Sequence, residues 1–249
     1  MFNSIESEMK TIILDVGNTF VKATLFEGNE VVKSEHFRHS DLRPFVDFLE
    51  ENPADRGAYA VVGHISGALQ KAINHSNTRL ELVTVSDIPE TVIKNEYSTP
   101  HTLGIDRIAA VIGAKSLSHG EENIMVIDCG TCITFDIAVN GSYIGGNISP
   151  GINMRLRAMH AYTESLPKVF SEGDCPDVGI STETAMRSGV ILGVSFEIER
   201  AIEYFSAKFN NLKVYLTGGG SKELHISKKI NTFADDFLVE RGILEILNH

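Results

Sequence analysis

Apolar and polar positions alternate in short bursts along the N-terminal part of the chain. Thr11–Leu14 is an apolar run that stops at Asp15, Val21–Phe26 is a second, and Val31–Phe37 is a third, with Gly28-Asn29 between the last two. A two-residue Gly/Asn link between apolar runs predicts a hairpin, so the pattern reads as three consecutive strands. At Asp41–Glu51 the period changes, and Leu42, Phe45, Phe48 and Leu49 fall on one face of a helix. Ala58–Val62 predicts a short buried strand, Ser66–Asn74 a short helix and Leu80–Val85 another strand. The resulting order is β-β-β-α-β-α-β. Asn95–Thr102 is polar and reads as loop, and Asp106–Ser116, rich in Ala and Ile, as a helix.

After the polar stretch Ser118–Asn123 the pattern restarts. Ile124–Ile127 is an apolar strand ending at Asp128, Ile133–Val139 is a second strand, Asn140-Gly141 a hairpin turn and Tyr143–Ile148 a third strand. Asp15 and Asp128 are 113 residues apart (128 − 15), as are Gly17 and Gly130 (130 − 17) and Gly28 and Gly141 (141 − 28). Three landmarks at one offset predict a duplicated strand–turn–strand unit, one copy per half. The expected division is an N-terminal extension over 1–10, a first domain over 11–117 and a second over 122–249. In the last third, Thr182–Phe209 predicts a long helix whose internal Gly189 and Gly193 suggest a kink or a close backbone contact. Val214–Leu216 reads as a short strand running into Gly218-Gly219-Gly220, and Ile243–Leu247 as the end of a final helix.

Composition narrows the class. A chain of 249 residues with 43% apolar and 22% charged residues suits two globular domains rather than a disordered segment. A net charge of −11 with no Lys/Arg cluster argues against a nucleic-acid partner. No apolar run approaches the roughly 18–20 residues of a membrane span, and MFNSIESEMK lacks the apolar core of a signal peptide. That start reads as a frayed extension, with Met9 as an alternative initiator. Cys129 and Cys132 form a C-x-x-C pair, but Cys175 is the single further cysteine and a zinc ribbon needs a second pair. Strands rather than a helix flank the pair, so the expectation is reduced thiols in a cytoplasmic protein.

The two aspartate turns carry the candidate chemistry. A buried strand ending in Asp-x-Gly lets the backbone bend sharply and approach a ligand. The residues after the glycine can present successive N–H groups to an anion. Asn18, Thr19, Thr131 and Thr134 add side-chain donors, Lys22 could add a positive charge, and Asp15 and Asp128 suit a hard cation. One such turn alone is most often only a turn; two in matched positions point to nucleotide binding. The Thr217-Gly218-Gly219-Gly220 segment would let a flat adenine or ribose lie against backbone.

These features resemble the acetate-and-sugar-kinase, Hsp70 and actin superfamily, and in detail the type III pantothenate kinase family, over nearly the whole chain from Thr11. Four segments carry the resemblance: Asp15-Val16-Gly17-Asn18-Thr19-Phe20-Val21-Lys22; Tyr97 with Gly104-Ile105-Asp106-Arg107; Asp128-Cys129-Gly130-Thr131 followed by Gly145–Gly151 and Leu166-Pro167; and Thr182 with Ala185 and Ser188-Gly189. Cys132, Asn147 and the Gly63-His64 wording depart from the family's usual residues without removing a reacting group. The resemblance implies an α/β fold of two duplicated ribonuclease-H-like (actin-like ATPase) domains, with mixed sheets flanked by helices and the active site in the interdomain cleft. It implies ATP-dependent phosphorylation of pantothenate to 4'-phosphopantothenate, the first step of coenzyme A biosynthesis. The implied cofactors are Mg²⁺ and a monovalent cation, K⁺ or NH₄⁺, and the implied assembly is a homodimer.

The same resemblance assigns roles. Asp106 would accept the proton of the pantothenate hydroxyl, and Tyr97, Gly104, Ile105, Arg107 and Thr182 would bind pantothenate. Residues Asp15 to Lys22 and Thr131 would bind ATP, and Asp128 the monovalent cation. Read without the resemblance, Asp106 is a favourable helix N-terminal residue, Arg107 half of a surface ion pair, Tyr97 a loop aromatic and Thr182 a helix cap. The competing expectations are a non-catalytic regulator of the same fold, like the Bvg accessory factor, and another small-molecule kinase of the superfamily.

Overall fold

The structure, a computed structural model, describes residues 9–118, 123–227 and 230–249. Most of the expected N-terminal extension and of the polar stretch between the halves therefore lies outside the described residues. The chain forms two compact units, Met1–His119 with Phe237–His249, and Gly120–Asp236.

The first unit opens with β1 (Lys10–Val16), β2 (Phe20–Glu27) and β3 (Glu30–Arg38). It continues through α1 (Arg43–Glu51), β4 (Arg56–Val61), α2 (Gly67–Asn74), β5 (Leu80–Leu82), the two-residue β6 (Lys94–Asn95) and α3 (Ile105–Leu117). The sheet order is β3-β2-β1-β4-β5. The first three strands are antiparallel, and β4 and β5 run parallel to β1. Alternation decides the two faces. Ile12, Leu14 and Val16 of β1 join Val21, Ala23 and Leu25 of β2 in one core with Phe45, Phe48 and Leu49 of α1. Phe37 meets Phe45 and Phe48 edge-on at centroid distances of 5.6 and 5.4 Å. Asp15 and Lys22, paired across the strands, therefore lie on the opposite face.

The second unit repeats this plan: β7 (Ile124–Cys129), β8 (Cys132–Val139), β9 (Ser142–Pro150), α4 (Ile152–Ala161), α5 (Thr182–Lys208), β10 (Lys213–Thr217) and β11 (Phe233–Ala234). The order β9-β8-β7-β10-β11 mirrors the first sheet. Again the first three strands are antiparallel, while β10 and β11 follow β7 in parallel. Two mixed sheets with one strand order identify duplicated ribonuclease-H-like domains. The last element, α6 (Leu238–Leu247), lies in the first unit.

The register sharpens the duplication. Val16 pairs with Val21 across four turn residues, whereas Cys129 pairs with Ile133 across three. The offset is thus 113 residues before the turn and 112 after it (133 − 21). Both copies then show a register shift at the equivalent place, between Leu25 and Phe26 and between Ile137 and Ala138. At an offset of 112, Gly28 corresponds to Asn140, not to Gly141. The two hairpins simply place glycine at different loop positions, so that third landmark is coincidental and the repeated pairing carries the duplication instead.

Three other expectations are corrected. The final helix, expected with the second domain, packs on α3 in the first unit. Its Gly242 leaves no space for a side chain, since a Cβ there would lie 1.8 Å from the Ala109 carbonyl oxygen. Gly113 of α3 likewise faces the Leu238 carbonyl, at 2.0 Å from where its Cβ would be. Glycine on both helices lets them cross backbone to backbone. Helix α4, not anticipated, starts at Gly151 and buries Ile152 and Leu156. Gly189 and Gly193 make no close backbone contact with another element among the described residues: both lie within the 27-residue α5, and nothing stands within 4 Å of where their Cβ atoms would be.

Candidate active site

The first turn is held from below and open at its tip. The Gly17 N–H donates to the Phe20 carbonyl at 3.0 Å, and the Val62 N–H donates to the Val16 carbonyl at 2.9 Å. Asn18 and Thr19 are exposed at the tip, while Val21 is fully buried as the anchor behind it. Gly63, at φ +81°, approaches the Asn18 amide so closely that a Cβ would lie 2.8 Å from Oδ1. The Phe20 ring carries the Arg38 guanidinium at 5.0 Å. Lys22, expected to offer its charge to phosphate, is engaged elsewhere in this structure. Its ammonium lies 3.0 Å from the Glu240 carboxylate and 4.6 Å from the centre of the Phe237 ring. No sequence period links Lys22 to Glu240, which is one of three charged residues in the terminal helix.

The Gly104–Arg107 segment opens α3. Gly104 is its cap, Ile105 is buried as the first helical residue, and Asp106 stands half-buried in the first turn. The Arg107 N–H donates to Asp106 Oδ1 at 2.9 Å. A Cβ on Gly104 would lie 2.4 Å from that same oxygen, so glycine is what gives the carboxylate its room. Arg107 is 7% exposed, which removes the surface ion pair as its explanation. Its guanidinium sits 5.8 Å from the centre of the Tyr97 ring. Tyr97 is itself fixed by its N–H, which donates to Asn95 Oδ1 at 3.0 Å.

In the second unit, Asp128 is the next-to-last residue of β7, beside Thr217 of β10. The following turn closes with the Gly130 N–H donating to the Cys132 carbonyl at 3.0 Å. Gly218 leaves room for the Asp128 carboxylate: a Cβ there would lie 2.3 Å from Oδ1, whereas one on Gly130 would make an ordinary contact at 3.4 Å. Gly218 also has φ +84°, so a side chain there is excluded twice. Thr131 is exposed, and its carbonyl accepts the Gly151 N–H at 3.1 Å where α4 begins. Thr182 is exposed at the first position of α5, but Ser181 is the cap, accepting from the Thr184 N–H at 3.2 Å. Behind it, Arg187 is buried and ties down the preceding loop by donating to the Phe170 and Asp174 carbonyls at 3.0 and 2.9 Å.

The C-x-x-C pair has no shared chemistry. Cys129 points into the core with Ile133, and alternation turns the neighbouring Cys132 to the other face. Burial, with a smaller contribution from the Asp128 charge, pushes the Cys129 thiol up to about 12. All three cysteines are free. Among the described residues, no group of three or more His, Cys, Asp or Glu could hold a metal ion, and no helix is long and apolar enough to cross a membrane.

Known proteins are similar to this chain. A family model described as type III pantothenate kinase covers residues 11–204. A type III pantothenate kinase of Phocaeicola vulgatus is 39% identical over 241 residues, spanning 96% of this chain and 98% of its own. One from Christiangramia forsetii is 37% identical over 239 residues, spanning 95% and 97%. Among solved structures, one named for the Baf family of transcriptional activators, from Campylobacter jejuni, superposes with a TM-score of 0.58 at 23% identity, over 95% of this chain and 97% of its own. At that identity the likeness concerns the fold.

Proposed function

The chain belongs to the type III pantothenate kinase family, and from that membership we propose that it transfers the γ-phosphoryl group of ATP to the terminal hydroxyl of pantothenate, giving 4'-phosphopantothenate for coenzyme A synthesis. Phosphoryl transfer asks a protein for positioning and charge stabilisation more than for covalent chemistry. The exposed tip at Gly17, Asn18 and Thr19, with Asp15, Val16 and the Phe20–Lys22 strand behind it, takes the phosphates. Thr131 adds a contact to ATP. Tyr97, Ile105, Arg107 and Thr182 orient pantothenate, and the planar Arg107 fork suits an anionic substrate.

Asp106 accepts the hydroxyl proton as the substrate oxygen forms its bond to phosphorus and ADP leaves. The observation that supports this role is the packing of Gly104 against Asp106: the missing Cβ leaves room for Oδ1, and the Arg107 N–H bond to that oxygen fixes the direction of the carboxylate.

Asp128 fits a monovalent cation, K⁺ or NH₄⁺, because Gly218 leaves space beside its carboxylate that a side chain would fill. Magnesium commonly takes one or two carboxylates plus substrate phosphates, a demand that Asp15 with ATP meets. When bound, both ions offset phosphate charge. The reading includes a cytoplasmic location and a homodimer. Support for the dimer comes from Val178 and Ile180, just before α5, and Phe196, midway along it, which are 76%, 92% and 62% exposed.

The test is ADP release measured over a panel of pantothenate, sugars and carboxylates, with and without potassium. Pantothenate-dependent, potassium-stimulated release supports the reading. Release driven by another acceptor overturns the substrate, and indifference to monovalent cations overturns the Asp128 assignment.

A further inference from the structure

We infer that Glu240 is a positioning residue for the first phosphate turn, acting through Lys22; this rests on the reading that the turn binds ATP. The Glu240 side chain is 1% exposed and that of Lys22 13%, with 3.0 Å between carboxylate and ammonium. A carboxylate buried that deeply is strongly disfavoured without a cationic partner, so the pair is built in and not incidental. Phe237 supplies a second hold, its ring 4.6 Å from the ammonium. Lys22 is paired with Asp15 across β1 and β2, on the face away from the α1 core. Lysine carries its charge on a flexible four-carbon stem. Glu240 and Phe237 fix that stem on the Asp15 side before nucleotide arrives.

The support is itself rigid. Gly242, two residues beyond Glu240, seats α6 against the Ala109 carbonyl of α3, the helix whose first turn carries Asp106 and Arg107. One terminal helix therefore braces both the phosphate turn, through Glu240, and the carboxylate-bearing helix, through Gly242. A simpler role exists for the pair: a staple joining helix to sheet. The two roles differ in what they do to nucleotide binding.

The experiment measures MgATP affinity of the full chain by calorimetry, with thermal unfolding alongside. Glu240→Gln weakens MgATP about tenfold, the scale of one charge-assisted contact, and Glu240→Asp recovers part of the loss. Combined with Lys22→Met it adds nothing beyond Lys22→Met alone, because both act through one ammonium. A Glu240→Gln protein that melts earlier but binds MgATP unchanged overturns the inference, as does additive loss in the double variant or unchanged binding in Lys22→Met. Should Glu240→Gln not fold, the apolar pair Lys22→Met/Glu240→Met is compared with Lys22→Met. Equal affinities support the inference and a further loss overturns it. Binding is read without turnover, so a chain that binds MgATP but ignores pantothenate defeats the substrate reading and leaves this one standing.

Discussion

Asp106 shows how little one residue says by itself. In the sequence it is an acidic residue opening an Ala-rich helix, where it would be favourable for reasons of dipole alone. Its family resemblance suggested a base; the structure adds the missing Cβ of Gly104 beside its carboxylate and the buried Arg107 next to it. If it accepts the hydroxyl proton, Asp106→Asn lowers kcat by about 10²–10⁴ while MgATP affinity, measured by calorimetry, stays near wild type. A variant with full turnover removes the role. Cys129 allows an independent check at the same scale. Its thiol is raised from 9.0 to about 12, chiefly by burial. The native chain therefore keeps that proton where an unfolded chain releases it. The associated stability is fully present below pH 9 and is lost as pH rises from there toward 12. At pH 8 a thiol reagent should leave Cys129 unmodified in the native protein and label it after unfolding, with peptide mapping to identify the site. Rapid native labelling contradicts the burial.

At the scale of elements, local signals were legible and distant ones were not. The three-strand bursts, the Asp turns and the long α5 came from alternation, turn residues and helical period, all of which act within a few residues. Helix α4 escaped because only Ile152 and Leu156 are buried, with Arg155 and Arg157 alongside. The placement of α6 escaped for a different reason. It depends on Gly113 meeting Leu238 and Gly242 meeting Ala109, and no periodicity announces contacts between residues so far apart in the chain. The Lys22–Glu240 pair spans 218 residues (240 − 22) and was equally invisible. The glycine crossing is testable. Gly242→Ala places a methyl group where the Ala109 carbonyl already sits, and overpacking of this kind costs roughly 1–3 kcal/mol or more. Urea unfolding should show that loss in the midpoint, whereas Gly67→Ala, exposed at the first position of α2 with open space around it, should be neutral or stabilising by up to about 1 kcal/mol. Equal behaviour of the two would contradict the packing described for α6.

At the scale of the whole molecule, the duplication was legible because each copy repeats the same local pattern. The register corrected its detail: the copies differ by one turn residue, and the glycine landmark in the hairpin is not equivalent. The substrate was legible only through the order of short motifs, since fold alone leaves it open. Assembly is the least legible property, because an exposed apolar face does not name its partner. If α5 joins two copies, Ile180→Glu with Phe196→Glu should convert a dimer to a monomer in sedimentation; an unchanged dimer places the interface elsewhere. The central claim is pantothenate phosphorylation, and it is tested most directly by following ADP release and the mass of the product with purified chain, MgATP, potassium and pantothenate. The account predicts ADP formed only when pantothenate is present, together with pantothenate gaining one phosphoryl group. ADP release independent of pantothenate, or none at all from a chain that binds MgATP, would contradict it.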